Sequence, residues 1–162
     1  MKAWPKVTGL RRRAFAVLAV GVVAASCATL PAAVPSPAQH YALAPLIDEP
    51  LGEGFVEVIH PNGPRVYAHH VYKLNGARSD QSHEVVISIW TSNLECAGGP
   101  AFVLPAAVVD TNSSGNGEAD VVLAPELLDA LGLRGLAIGG KVTLLHEGSP
   151  AYTTGCRVIQ LD

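Results

Sequence analysis

From residue 55 onward the chain alternates apolar and polar residues in short runs, the period that sends successive side chains to opposite faces of a sheet. Phe55–His60 (FVEVIH) and Arg65–Leu74 (RVYAHHVYKL) carry this pattern in β-branched and aromatic residues. Pro61-Asn62-Gly63-Pro64 between them predicts a hairpin turn. Val85–Thr91 and Phe102–Val109 predict two further strands, the second placed at an edge or a bulge by Pro105. Asp110–Gly117 (DTNSSGNG) is a dense turn signal leading to a returning strand at Ala119–Leu123. Pro125–Leu133 predicts a short helical turn, with proline at a first position where its missing N–H is not needed. Lys141–His146 and Cys156–Leu161 close the set. Seven short strands over about 115 residues predict one all-β domain, an antiparallel sandwich over residues 48–162.

The beginning of the chain breaks the alternation. Residues 1–26 hold Lys2, Lys6, Arg11, Arg12 and Arg13 with no acid, followed by the apolar run AFAVLAVGVVAAS. A basic segment before an apolar stretch of about a dozen residues has the form of a signal peptide and falls short of the roughly 20 residues a spanning helix needs. Arg12-Arg13 leaves twin-arginine export open beside the general route. Val23-Ala24-Ala25-Ser26-Cys27 resembles a bacterial lipobox, which would make Cys27 the lipidated first residue of the mature chain; plain cleavage near Ala28 is the alternative. Residues 27–47 (CATLPAAVPSPAQHYALAPLI), with four prolines and few charges, predict an extended tether between that anchor and the domain. The expected location is therefore the cell envelope outside the cytoplasm, attached to the membrane through an N-terminal lipid, or else secretion.

Removing the leader changes the charge. The whole chain has 11 basic and 14 acidic residues; without the five bases of the leader, six face fourteen, a net of −8. An acidic domain lacking basic clusters is a poor ligand for nucleic acid. It gives no indication of a protein or small-molecule partner. Export also bears on the cysteines. With Cys27 consumed by lipid, Cys96 and Cys156 are the pair left for an internal bridge.

The last third of the sequence resembles the C-terminal half of copper/zinc superoxide dismutases. LPAAVVDTNSSGNGEADVVL resembles that family's strand, turn and strand; GGKVTLLHEG resembles the strand whose "VVHE" supplies a copper-binding histidine. TTGCRVIQL resembles the closing "ACGVI" strand, whose cysteine bridges back to one before an "AGPHF" segment, here Cys96-Ala97-Gly98-Gly99-Pro100-Ala101-Phe102. The resemblance spans roughly Leu74–Leu161 and implies a Greek-key, superoxide-dismutase-like, immunoglobulin-like sandwich with a Cys96–Cys156 disulfide.

The chemistry implied by the family is mostly missing. Its His-x-His strand corresponds to EVVISIWTS, with Ser88 and Ile89; its metal-bridging histidine falls on Ala101; its guiding arginine falls on Thr153; its zinc loop is absent; its long charged loop after VVHE is shortened to SPAYTTG. One of four copper ligands, His146, is kept. Imidazole sets of fixed geometry are what hold a redox copper, so the expectation is no enzyme, no catalytic residue and no cofactor, with a binding or structural role instead. The alternative is a diverged superoxide dismutase or copper-binding protein using His146 with His70 or His83. His69 and His70, being adjacent on a strand, serve opposite faces. Asp110-Thr111-Asn112-Ser113-Ser114-Gly115 begins like a calcium loop, but Val121 stands where the bidentate acid belongs, which leaves a turn.

Overall fold

The alternation becomes two antiparallel sheets packed face to face. A computed structural model describes residues 38–46, 48–59 and 68–161, all within one compact unit of the chain. The leader, Cys27, His60 and the Pro61–Pro64 turn lie outside the described residues.

In chain order the strands are β1 (Ala38–Ala42), β2 (Ala44–Pro45), β3 (Glu53–Ile59), β4 (Ala68–Asn75), β5 (Ser82–Trp90), β6 (Phe102–Asp110) and β7 (Gly117–Leu123). Helix α1 (Pro125–Ala130) follows, then β8 (Ala137–His146), β9 (Ser149–Thr153) and β10 (Arg157–Gln160). One sheet runs β1-β3-β4-β7; the other runs β2-β9-β8-β5-β6, with β10 beside the first half of β8. The chain changes sheets between β1 and β2, between β2 and β3, between β4 and β5, between β6 and β7, and between β7 and β8.

Burial follows parity. Val56 and Val58 on β3, Tyr72 and Leu74 on β4, Val85, Ile87 and Ile89 on β5, and Val142 and Leu144 on β8 form the core between the sheets. Each such side chain contributes roughly 1.5–3 kcal/mol by leaving water. Trp90 is buried too, and its indole Nε1 donates to the Gly98 carbonyl at 3.0 Å. Pro105 lies on β6, the edge of the larger sheet, opposite Val86 next to a register shift between Val85 and Val86. The edge placement agrees with the missing N–H of proline.

Two expectations need correction. Residues 38–45, assigned to the tether, are strands: β1 pairs with β3 from Ala38↔Ile59 to Ala42↔Phe55, and β2 pairs with β9. Prolines suggest solvated extended chain, but Ala38–Ala42 contains none. Its Tyr41 packs against the core, and Leu43 is buried. The run SPAYTTG, read as a shortened loop, contains β9. His146-Glu147-Gly148-Ser149 makes a two-residue hairpin, with φ of 49° at Glu147 and 75° at Gly148 and with His146↔Ser149 as the closing pair. Positive φ at both central positions matches the right-handed twist of the flanking strands.

The disulfide joins Cys96 to Cys156 with Cα atoms 5.8 Å apart. It ties the loop after β5 to the residue before β10. Gly139 makes this approach possible: a Cβ there would lie 2.8 Å from the Asn93 carbonyl oxygen and 3.3 Å from the Cys96 sulfur.

Candidate functional site

The strands bring two of the three candidate histidines together. On the β5–β8 ladder Glu84 pairs with Leu145, so His83 and His146 each occupy the next position toward the same end of the sandwich. Their ring centroids are 5.5 Å apart with 39° between the planes. Tyr152 of β9 presents its ring 5.3 Å from His83. His83 is fully buried and His146 half-buried.

The polar atoms of this pair lack ordinary partners. Both ring nitrogens of His83 and Nδ1 of His146 are shielded from solvent without a well-formed hydrogen bond. Burial is the main force holding the His83 pKa below its ordinary value, and the neighbouring His146 adds to it; the Val109 backbone and Glu49 pull weakly the other way. Neutral imidazole, with a lone pair, is the resulting form.

A short strap covers the same end. The Glu49 carboxylate accepts from Arg78 Nε at 2.7 Å, and Tyr152 Oη donates to the Pro50 carbonyl at 3.0 Å. Burial raises the Tyr152 pKa, so its hydroxyl stays a donor. The loop carrying Arg78 is pinned in turn by buried Thr111. Its Oγ1 donates to the Arg78 carbonyl at 2.6 Å and accepts from the Gln81 N–H at 3.0 Å.

His70 belongs elsewhere. It is buried on the inner face of β4, with Nδ1 3.1 Å from Tyr72 Oη. It borders a cavity of about 30 Å³ with Tyr41, Ile87 and Gly140, several residues along the strands from His83 and His146. The remaining described histidines lie on the outer face of the smaller sheet against carboxylates: His40 is 3.3 Å from Glu57 and His69 is 3.2 Å from Asp120. An open groove of about 430 Å³ on that sheet, lined by Phe55, Lys73, Asn75, Asn116 and Glu118, has its lysine committed to Glu118 at 3.1 Å.

The calcium-like stretch is a turn. Asn112 Oδ1 accepts from the N–H groups of Ser114 and Asn116 at 2.9 and 3.1 Å. Gly115 has φ 74°, and a Cβ there would lie 2.1 Å from the Ala77 carbonyl oxygen.

The four-histidine copper centre implied by the resemblance does not fit these residues. Among the described residues no three histidine, cysteine or acidic side chains converge in a way that could hold an ion. Among the described residues His83 is the one imidazole beside His146. Ala101 is exposed, its N–H spent on the Ile89 carbonyl at 2.7 Å. Sequence reasoning did not foresee the strap. Glu49, Arg78 and Tyr152 meet across three separate segments, and the one local signal was the Glu147-Gly148 turn that makes a strand of the tyrosine's segment.

No protein-family model, curated protein or solved structure matches this chain.

Proposed function

We propose that the chain is an exported, lipid-anchored envelope protein whose superoxide-dismutase-like, Greek-key domain is non-catalytic and serves a binding or structural role. The observation that carries the reading is the pairing of Cys96 with Cys156, which ties the closing strand to a loop 60 residues earlier. A structural disulfide needs an oxidising compartment, in keeping with an export leader over residues 1–26, just before Cys27. The order of segments around the bridge, with β8 and its His146 just before the closing β9 and β10, supports the family likeness.

Dismutation would require more donors around His146 than the single imidazole of His83. Catalysis at a redox metal depends on a ligand set that survives both oxidation states, and two nitrogens do not supply one. The domain keeps the frame, and its role lies in what its surface meets.

The localisation is tested by expressing the full chain in a bacterium beside Cys27→Ser. The parent is expected in the membrane fraction as a processed, acylated species. Cys27→Ser is expected as an unprocessed precursor or in the soluble fraction. A processed Cys27→Ser chain that stays on the membrane would overturn the lipid anchor.

A further inference from the structure

We propose that the outer face of the larger sheet is where two copies of this chain pair, related by a two-fold axis that crosses the strands at Val86. The inference goes beyond the envelope role and stands independently of whether the chain is exported or lipidated.

Parity defines the face. With Val85, Ile87, Val142 and Leu144 turned into the core, the alternate positions of β6, β5 and β8 point outward in three rows. Ser88 lies between Val103 and Lys141, Val86 between Pro105 and Thr143, and Glu84 between Val108 and Leu145. The register shift between Val85 and Val86 keeps Val103 and Val108 on one face although an odd number of positions separates them. Both are more than half exposed, at 56% and 51%, and Pro105 is exposed between them. Glu84 and Lys141 are the charged residues of the three rows.

The two outer faces of the sandwich differ in how their charges are matched. On the smaller sheet His40 meets Glu57, His69 meets Asp120 and Lys73 meets Glu118, each pair closed within the chain. On the larger sheet Glu84 and Lys141 form no ion pair among the described residues. Their rows stand about 13 Å apart along the strands, too far for direct contact.

Symmetry supplies the missing partners. An axis lying along the middle row, in the plane between two copies, exchanges the first and third rows and leaves each strand over its counterpart. Val103 then faces the second copy's Val108, and Lys141 lays its stem on the second copy's Leu145. Its ammonium comes about 4.8 Å to the side of the second copy's Glu84, within reach across sheets stacked about 10 Å apart. Each contact occurs twice, the isologous pattern of a closed dimer. An axis along β5 would instead stack Glu84 on Glu84 and set Lys141 against a valine, so charge selects the first arrangement. Three short rows make a contact at the small end of specific interfaces, which suits a weak dimer dissociating at on the order of micromolar concentration.

The full chain, disulfide intact, is purified in mild detergent and its mass followed by sedimentation across the micromolar range. A reversible dimer is expected. Glu84→Lys and Lys141→Glu each bring like charges together twice per dimer and should weaken it at least about tenfold. The chain carrying both changes restores opposite charges and should pair like the parent, and Lys73→Gln on the other face should leave pairing unchanged. A second measurement uses Cys27→Ser, in which no other thiol is free. Val86→Cys, on the axis, should cross-link to itself on mild oxidation, whereas Val103→Cys should do so only when mixed with Val108→Cys. A monomeric parent, or association equal in the parent and every charge variant, as a leader or lipid would drive it, overturns the proposal. Self-linking of Val103→Cys alone contradicts the axis.

Discussion

His83 and His146, 63 residues apart in sequence, meet with ring centroids 5.5 Å apart at one end of the sandwich. The contact depends on the β5–β8 register and on the hairpin that brings Tyr152 against the same ring. A one-residue slip of either strand would send one histidine to the opposite face.

Acid should destabilise the metal-free domain through His83. Its folded-state pKa is held below the ordinary 6.5, chiefly by burial. The unfolded chain therefore binds a proton that the folded one resists, and stability rises with pH across that interval. The contribution is full above about 6.5 and is lost as pH falls toward the depressed folded value. Thermal melts between neutral and mildly acidic pH should show this decline, and His83→Gln should flatten it. A parent and variant with parallel pH profiles would show that His83 is not the titrating group.

Breaking the bridge should cost more than any surface change. A loop of 60 residues corresponds to about 4 kcal/mol in the chain-entropy picture. Cys96→Ser with Cys156→Ser should lower the melting temperature by on the order of 10 °C. Two thiols reactive in the oxidised parent would contradict the bridge itself.

The strap over the histidines should loosen when its anchor is cut. Tyr152→Phe keeps the ring against His83 and removes the hydrogen bond to the Pro50 carbonyl. A cost of about 1 kcal/mol is expected. Amide exchange should quicken at Leu46, whose N–H donates to the Ala151 carbonyl at 2.7 Å. Unchanged stability and exchange would mean that the strap is held without the tyrosine.

Two glycines with nearly the same φ should respond differently to alanine. At Gly115, φ is 74° and a Cβ would fall 2.1 Å from the Ala77 carbonyl oxygen; at Gly148, φ is 75° with nothing within 4 Å. Gly148→Ala should cost about 1 kcal/mol from backbone conformation alone. Gly115→Ala should cost more, about 2–4 kcal/mol, because backbone must move as well. Chemical denaturation of both variants measures the difference, and equal costs would contradict the close approach at Gly115.

What could be read in the sequence was the part governed by local period. Alternation placed β3, β4, β5, β6 and β7 within a few residues, and Pro105 marked an edge. The same parity rule separated His69 from His70, which serve the outer and inner faces of β4. β1 was hidden because proline-rich flanks masked a five-residue segment whose strand character comes from pairing with β3. β9 was hidden because Glu147-Gly148 lacks the usual Asn-Gly signature. Of the three metal candidates, choosing His83 over His70 as the neighbour of His146 needs the order of strands across a sheet, which no local window contains.

The central claim, a dismutase-like frame without the dismutase reaction, is tested most directly by one assay. The full chain, disulfide intact, is loaded with copper and zinc, cleared of free metal, and measured for superoxide dismutation alongside its metal content. The expected result is at most one copper per chain and no dismutation above the buffer. Stoichiometric copper and zinc with catalytic dismutation that His146→Gln abolishes would contradict it.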